Sequence, residues 1–190
     1  RYFDQRVAES ITMSGQLAIL WAERTVNKEM NKLLETDEED YVIAIDTDSL
    51  YIRMGELVQK FNPKNPVKFL DEICKTHFEK VLTKSYQEFA DYSGAMSNRM
   101  EMGREVIADK GIWQAKKRYI LNVHNSEGVQ YKEPKLKIMG IEAIKSSTPE
   151  LVRNKMKELF PILVGKTQEE AQEFVANFRK EFNKIRPEDI

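Results

Sequence analysis

The sequence predicts a fold that mixes helices and strands and ends in helices. Apolar residues recur at spacings of three and four from about residue 4 to 34 and from 66 to 91, as they do on the buried face of a helix. Between and after these segments, short runs with β-branched residues are bounded by polar turns, as strands are. The 190 residues suffice for about one domain, or for one domain and a fragment of another.

The first β region is predicted to be a hairpin with two carboxylates at its tip. Apolar runs at 41–45 and 50–52 flank the polar segment Asp46-Thr47-Asp48-Ser49. Rigid strands would deliver Asp46 and Asp48 to one place, and hard carboxylate oxygens there suit Mg²⁺. The alternative is an Asx-type turn that only caps the hairpin.

The remaining elements follow from local signals along the chain. Pro66 suits the first turn of the second long helix. Runs at 105–108 and 117–123 predict two more strands. Thr148-Pro149-Glu150 predicts a helix start with Thr148 as the N-cap and the proline as the first helical residue. Thr167-Gln168-Glu169-Glu170 predicts a second helix start with a capping box.

Charge is balanced in total but divided along the chain. The formal net charge of −1 excludes a uniformly basic nucleic-acid coat and an acidic disordered tail. Residues 1–50 nevertheless carry 5 basic and 11 acidic side chains, whereas residues 110–145 carry 8 basic and 3 acidic ones. This division suggests a metal site beside a site for a polyanion, unless both regions are merely solvated faces. No apolar run approaches 18 residues, so we expect no membrane-spanning helix.

The basic region begins with Lys116-Lys117-Arg118-Tyr119, which leads into a predicted strand. Cations that neutralise phosphates, with an aromatic ring beside them, are typical of a surface that binds a nucleic-acid backbone. The alternative is an edge strand that lysines protect from aggregation. Further lysines extend the basic region, namely Lys132, Lys135, Lys137 and Lys145.

Several blocks of the sequence resemble the family B DNA polymerases, and in particular the replicative polymerases of T-even-like tailed phages. Asp46-Thr47-Asp48-Ser49 is similar to the D-T-D-S core of motif C, and Lys117-Arg118-Tyr119 is similar to the K-x-Y motif. Residues 1–6 resemble the start of the long palm helix, and residues 133–140 and 145–149 resemble the junction of palm and thumb. The resemblance covers nearly the whole chain.

For the fold, the resemblance implies the α+β class. An antiparallel palm sheet with a ferredoxin-like core would be backed by the helices near 4–34 and 66–91 and followed by thumb helices. Residues 1–147 would form the C-terminal part of the palm, and residues 148–190 the beginning of the thumb. Motif A with its metal-binding aspartate, motif B of the fingers and the exonuclease domain have no counterpart in these residues.

For the function, the resemblance implies part of a DNA-directed DNA polymerase that joins a deoxynucleoside triphosphate to a primer 3′-hydroxyl with the help of two Mg²⁺ ions. Asp46 and Asp48 would be catalytic metal ligands, with Asp48 the more essential. Glu105 would be an auxiliary carboxylate on a palm strand near the metals. Lys117 and Tyr119 would hold the primer strand and the minor groove of the duplex.

The resemblance also implies partners and further contacts. Lys116 and Arg118 would touch the DNA backbone, and Lys135 and Lys137 would extend the DNA-binding surface. The partners would be primer–template DNA, the incoming dNTP and an upstream polymerase portion with exonuclease, motif A and fingers. A sliding clamp would be a further partner, through a C-terminal segment that is not among these residues. The expected location is the cytoplasm of the host cell.

Three positions depart from the family pattern, and three functional hypotheses remain open. Ala44-Ile45 stands where the family usually has Tyr-Gly, and Gly103 stands where close relatives tend to carry an acid. Because motifs A and B are absent from these residues, we expect no polymerisation by this chain unaided. In the first hypothesis, the chain is a catalytic part of a polymerase, which includes one subunit of a split polymerase. In the second, it is a non-catalytic duplex-binding module. In the third, it is a different two-metal enzyme on a similar palm, such as a cyclase. The basic region argues against the cyclase.

Overall fold

A computed structural model describes residues 4–186 of the chain. The chain divides into two compact units between Glu105 and Val106. The strands of the described residues form two antiparallel sheets, one of two strands and one of three, and helices make up most of the rest. The α+β class predicted from the sequence is therefore confirmed. No helix within residues 4–186 is both long enough and apolar enough to cross a membrane.

The first unit begins with the long helix that the sequence predicts, α1 (Gln5–Leu34). It starts at Gln5 because the side chain of Asp4 accepts a hydrogen bond from the backbone N–H of Arg6 at 2.9 Å. It ends where Glu35 enters the left-handed region with φ of 59°. The strands β1 (Val42–Asp46) and β2 (Ser49–Ile52) follow and form the predicted hairpin.

The second long helical segment of the first unit is built from more pieces than predicted. Asn65 caps its start by accepting a hydrogen bond from the N–H of Lys68 at 3.1 Å, and Pro66 occupies the first turn as expected. A π-helical turn interrupts the segment, and a short helix that the sequence analysis did not predict precedes it. The pieces are α2 (Gly55–Phe61), α3 (Pro66–Ile73), the π-helical turn (Cys74–Phe78) and α4 (Glu79–Tyr92).

The core of the first unit lies where α1 packs against α4 and the hairpin. Trp21 of α1 donates its indole N–H to the carbonyl and hydroxyl oxygens of Ser85 on α4, at 3.1 and 2.9 Å. This contact ties the two helices together while keeping a polar group satisfied. The buried members of the core are Ala22, Val26, Met30, Tyr41, Val42, Leu57, Phe78, Leu82 and Tyr86.

The second unit is built on a three-stranded antiparallel sheet with the order β3–β4–β5. Its strands are β3 (Val106–Ala115), β4 (Arg118–Ser126) and β5 (Val129–Met139). The first two agree with the strands that the sequence predicts. The third lies in the basic region and was not predicted. Pro134 is tolerated within β5 because this strand pairs with β4 alone and lies at the edge of the sheet.

Two helices complete the second unit, α5 (Glu150–Gly165) and α6 (Gln168–Phe182). The prediction of Thr148 as the N-cap of α5 is wrong by one residue. Pro149 has an extended ψ of 143° and is itself the cap, and its carbonyl accepts the N–H of Arg153 at 3.0 Å. The capping box at Thr167 and Glu170 is confirmed. The buried residues between sheet and helices are Ile120, Ile141, Ala143, Phe160 and Val164.

Candidate functional site

Asp46 and Asp48 lie at the tip of the β1–β2 hairpin, which we call the acidic tip (residues 46–49). Asp46 is paired with Ser49, so the turn itself consists of Thr47 and Asp48 alone. The N–H of Asp48 donates to the carbonyl of Asp46 at 2.7 Å, and Thr47 adopts a φ of 55°. This positive φ is a strained conformation for a β-branched residue. The turn therefore holds both aspartates within three residues of a tightly folded backbone.

The two carboxylates of the acidic tip differ in their surroundings. Asp46 is half-buried and accepts a hydrogen bond from the hydroxyl of Thr47 at 3.2 Å, whereas Asp48 is exposed. The hydroxyl of Ser49 donates to the carbonyl of Asp46 at 3.1 Å. Carboxylate oxygens are ligands that Mg²⁺ prefers, so the donor set fits part of a magnesium site. Within residues 4–186, no group of three or more His, Cys, Asp or Glu side chains is arranged to hold a metal ion.

Two asparagines of α1 fix the chain that enters the hairpin. Asn27 accepts the N–H of Tyr41 at 2.8 Å and donates to the carboxylate of Asp40 at 2.8 Å. One turn later, Asn31 accepts the N–H of Glu39 at 3.0 Å and donates to its carbonyl at 2.7 Å. Tyr41 itself is only 2% exposed. Neither asparagine was predicted to have a role, although two amides four residues apart lie on the same side of a helix and are a recognisable signal.

Glu105 lies outside the strand on which it was predicted. It is exposed and directly precedes Val106, the first residue of β3. The neighbouring Arg104 anchors this point, because its guanidinium pairs with Asp71 and its N–H donates to Glu79 at 3.1 Å. Glu105 does not join Asp46 and Asp48 in a three-carboxylate cluster. Its role as an auxiliary carboxylate stays a prediction.

The turn between β3 and β4 forms a second two-residue tip, which we call the basic tip (residues 115–118). Ala115 pairs with Arg118, so Lys116 and Lys117 make the turn, and both are exposed. Lys117 adopts a φ of 62°. The backbone of Gly140, just after β5, approaches so closely that a Cβ at Gly140 would overlap the Lys117 carbonyl. The basic tip is thus supported by a neighbouring segment.

The register of β4 and β5 places part of the predicted DNA-binding set on one face of the sheet. Tyr119 pairs with Met139, two residues further Leu121 pairs with Lys137, and then Val123 pairs with Lys135. Directly paired residues point to the same face, and so do residues two apart on a strand. Tyr119, Lys137 and Lys135 therefore share a face, although they are far apart in the sequence.

Aromatic rings accompany the cations on this face. The ring of Tyr119 lies 6.2 Å from that of Trp113, measured between centroids, and Tyr119 is only 5% exposed. Trp113 lies over Gly111, where a Cβ would overlap its ring. The ammonium of Lys135 lies 4.5 Å from the centroid of the Tyr131 ring. Contacts within the protein thus already use most of the Tyr119 surface.

Arg118 points to the other face and is engaged within the second unit. Its guanidinium pairs with the carboxylate of Glu142. The pKa of Glu142 lies below its ordinary value, because the carboxylate accepts hydrogen bonds from its own backbone N–H and from Lys145, and because Arg118 is near. The sequence predicts that Arg118 touches DNA and indicates no role for Glu142. The partner could not be found by spacing because it lies 24 residues away.

Comparison with known proteins gives two close relatives. The DNA-directed DNA polymerase of Enterobacteria phage T4 is 37% identical over 199 aligned positions, which cover 97% of this chain and 22% of that polymerase. The DNA-directed DNA polymerase of Escherichia phage RB69 is 41% identical over 172 positions, which cover 83% of this chain and 19% of that polymerase. The chain therefore spans about a fifth of the length of these curated relatives. No protein-family model matches it.

Proposed function

Since this chain is a relative of a segment of the family B DNA polymerases of T-even-like phages, we propose that it is the C-terminal palm and first thumb portion of such a polymerase. The observation that carries the proposal is the match to two DNA-directed DNA polymerases over as much as 97% of the chain, with the paired aspartates at a hairpin tip. Residues 1–147 would belong to the palm and residues 148–190 to the thumb. In the reaction, the primer 3′-hydroxyl would attack the α-phosphate of a dNTP, which adds one nucleotide to the primer and releases pyrophosphate.

Asp46 and Asp48 are the side chains that would hold Mg²⁺. When bound, the two ions would stabilise the attacking and the leaving oxygens of the transfer. Asp46 is the better fixed of the pair, whereas the exposed Asp48 is free of burial and open to a substrate phosphate and its metal. Each Mg²⁺ takes about six ligands, so two carboxylates supply only part of the set. The rest would come from the upstream polymerase portion, and the chain alone would be inactive.

The basic region would hold the primer–template duplex. Lys116 and Lys117 are exposed at the basic tip and would neutralise backbone phosphates. Lys135 and Lys137 share a face of the sheet with Tyr119 and would extend that contact. Arg118 would act on DNA indirectly, because its pairing with Glu142 braces the strand next to Lys117.

The test of catalysis is primer extension with Mg²⁺ and dNTPs on a labelled primer–template. The chain is assayed alone and together with a separately expressed upstream portion of the T4 or RB69 polymerase. We expect extension in the mixture alone. Asp48→Ala should abolish it, whereas Asp37→Ala, which removes an exposed carboxylate from the acidic turn after α1, should leave it unchanged. Extension that survives Asp48→Ala would contradict the proposal.

A non-catalytic duplex-binding module is the second candidate, and the shared face of Tyr119, Lys135 and Lys137 favours it. Its test is the salt dependence of duplex binding, followed by fluorescence anisotropy. Each phosphate contact contributes about 0.9 to the steepness with which the logarithm of the association constant falls as the logarithm of the salt concentration rises. Lys135→Ala should lower that steepness by about one contact, while Lys84→Ala on α4 should not change it. Duplex binding without extension in any mixture would favour this candidate.

A further inference from the structure

Trp113 on β3 lies beside Tyr119, which is proposed to hold the primer–template duplex. The two residues are directly paired across β3 and β4, so their side chains point to the same face of the sheet. Lys135 and Lys137 lie on that face too. The ring centroids of Trp113 and Tyr119 are 6.2 Å apart, which lies in the range over which aromatic rings attract one another. Trp113 is therefore the residue of β3 that meets Tyr119.

Gly111 holds the indole of Trp113 in place. A Cβ at Gly111 would come within 2.6 Å of two indole carbons and 2.8 Å from Leu121, so only glycine leaves room for this ring. Leu121, which is paired with Gly111, is buried. The indole thus lies over the backbone of β3 with a buried side chain at its edge. A large ring that is enclosed in this way has little room to shift.

The two neighbours of Tyr119 differ in stiffness. On the β5 side, Tyr119 is paired with Met139, which is 43% exposed. A methionine is unbranched and adapts to its surroundings, whereas an indole ring is rigid. Tyrosine on a strand commonly adopts either of two χ1 rotamers, and a rigid ring on one side decides which of them is open. The place of the Tyr119 phenol is therefore set by Trp113 and not by Met139.

We propose that Trp113 is a positioning residue for duplex binding, which acts by fixing the phenol of Tyr119 on the face that carries Lys135 and Lys137. The inference rests on the proposed function, in which this face holds the primer–template duplex. Trp113 would contribute to affinity only through Tyr119. Loss of Trp113 should therefore weaken binding without changing the number of phosphates that the chain neutralises, and it should have no effect once the Tyr119 ring has been removed.

The first test is duplex binding by the full chain, followed by fluorescence anisotropy over a range of salt concentrations. We expect Trp113→Leu to weaken binding about fivefold at every salt concentration, as loss of an aromatic pair would, with the steepness of the salt dependence unchanged. Lys137→Ala, in contrast, should lower that steepness by about one contact. Trp113→Phe keeps an aromatic ring beside Tyr119 and should recover most of the affinity.

The matched control is Ile112→Ala. It removes an apolar side chain from the next position of β3, which points to the opposite face of the sheet, and it should leave duplex binding unchanged. Circular dichroism and the urea midpoint of each variant verify that all of them are folded under the assay conditions.

The second test is a double-mutant cycle with Tyr119→Leu. If Trp113 acts through Tyr119, Trp113→Leu should have no further effect on duplex affinity in a chain that already carries Tyr119→Leu. A merely structural role of Trp113 would instead lower the affinity by the same factor in both backgrounds. The cycle thus separates a positioning residue from a residue that only stabilises the sheet.

Four outcomes would overturn the inference. They are equal binding by Trp113→Leu and the wild type, an equal loss in the two backgrounds, a decrease in the steepness of the salt dependence, and a wild-type chain that binds no duplex. The fate of the catalytic proposal is separate. Coupling between Trp113 and Tyr119 in a chain that extends no primer in any mixture would refute catalysis and leave the positioning role standing. Extension that Asp48→Ala abolishes, without such coupling, would do the reverse.

Discussion

The acidic tip and the basic tip are both two-residue turns, but they carry opposite charge and place the residue with positive φ first in the acidic tip and second in the basic tip. Each joins two antiparallel strands with a turn of two residues, and each contains a non-glycine residue at positive φ, 55° at Thr47 and 62° at Lys117. They differ in what holds them. The acidic tip is held by hydrogen bonds from its own Thr47 and Ser49 and by the anchored entry at Tyr41. The basic tip is held from outside, by the close approach of Gly140.

The comparison shows that turns of the same length can differ in charge and also in what supports them. A tip that is supported by its own side chains leaves its surroundings open, which suits a site that needs ligands from elsewhere. A tip that is supported by a neighbour is tied to the fold of its unit, which suits a fixed contact surface. Substitutions at the two tips should therefore differ in how strongly they destabilise the fold.

The largest effect is expected at the anchor of the acidic tip. Tyr41→Ala removes a ring that is 2% exposed and should lower the free energy of unfolding by about 3–5 kcal/mol, as loss of a buried aromatic side chain does. Tyr41→Phe keeps the ring and loses only the hydroxyl contact with Thr36 at 2.9 Å, so its cost should be about 1 kcal/mol. Urea unfolding measures both. Equal costs would show that the ring does not anchor the hairpin.

The next effect concerns the support of the basic tip. Gly140→Ala introduces a Cβ that overlaps the Lys117 carbonyl at a φ of 63°, so we expect a loss of about 2–4 kcal/mol. The matched control is Gly128→Ala, where φ is 86° but a Cβ meets nothing within 4 Å. Its cost should be about 1 kcal/mol, from the backbone conformation alone. If both variants lose the same stability, Gly140 gives the tip no specific support.

A smaller effect should separate the turn residues themselves. Thr47→Gly relieves a β-branched residue at positive φ, and water can replace the exposed bond that its hydroxyl makes to Asp46, so we expect the free energy of unfolding to rise by up to about 1 kcal/mol after the entropic cost of glycine. Lys117→Gly should gain less, because lysine is unbranched at Cβ. Thermal and urea unfolding of the two variants give the order. A larger gain at Lys117 would mean that the strain lies in the basic tip.

The smallest effect is the pH dependence of the Arg118–Glu142 pair. The pKa of Glu142 is lowered from 4.5 by its backbone hydrogen bond, by Lys145 and by Arg118. The ionised carboxylate therefore stabilises the fold above about pH 4.5, and this contribution is lost as the pH falls through the lowered pKa. Glu142→Gln should lower the urea midpoint at pH 7, and its difference from the wild type should shrink as the pH falls below 4.5. Glu133→Gln, on β5, serves as the control without such a difference.

The elements with strong local signals could be predicted from the sequence. The helix over 4–34, the hairpin with its two aspartates and the capping box at Thr167 depend on periodicity or on residues three or four apart. The placement of Asp46 and Asp48 at a hairpin tip followed from the same local pattern. Each of these features depends on residues that lie close together in the chain, so it can be predicted from a single sequence.

The features that were missed depend on distant partners or on weak signals. β5 contains several lysines and Pro134, which are weak strand formers. It forms a strand because β4 supplies its hydrogen bonds. Its register, which places Lys135 and Lys137 beside Tyr119, could not be read from spacing for the same reason. The helix α2 has seven residues and no side-chain cap, so its sequence contains little that would predict a helix.

The π-helical turn at Cys74–Phe78 has a consequence for the phase of the helical segment that contains it. Side chains at Cys74, Phe78, Leu82, Tyr86 and Ala90 are all buried, at a strict spacing of four. In a regular α-helix each such step advances about 40°, so Ala90 would end about 160° away from Cys74. The wider turn takes back part of that rotation. Because this turn holds one residue more than a regular turn, deleting one residue there would restore a regular helix and leave the side chains from Leu82 onward facing nearly the same side.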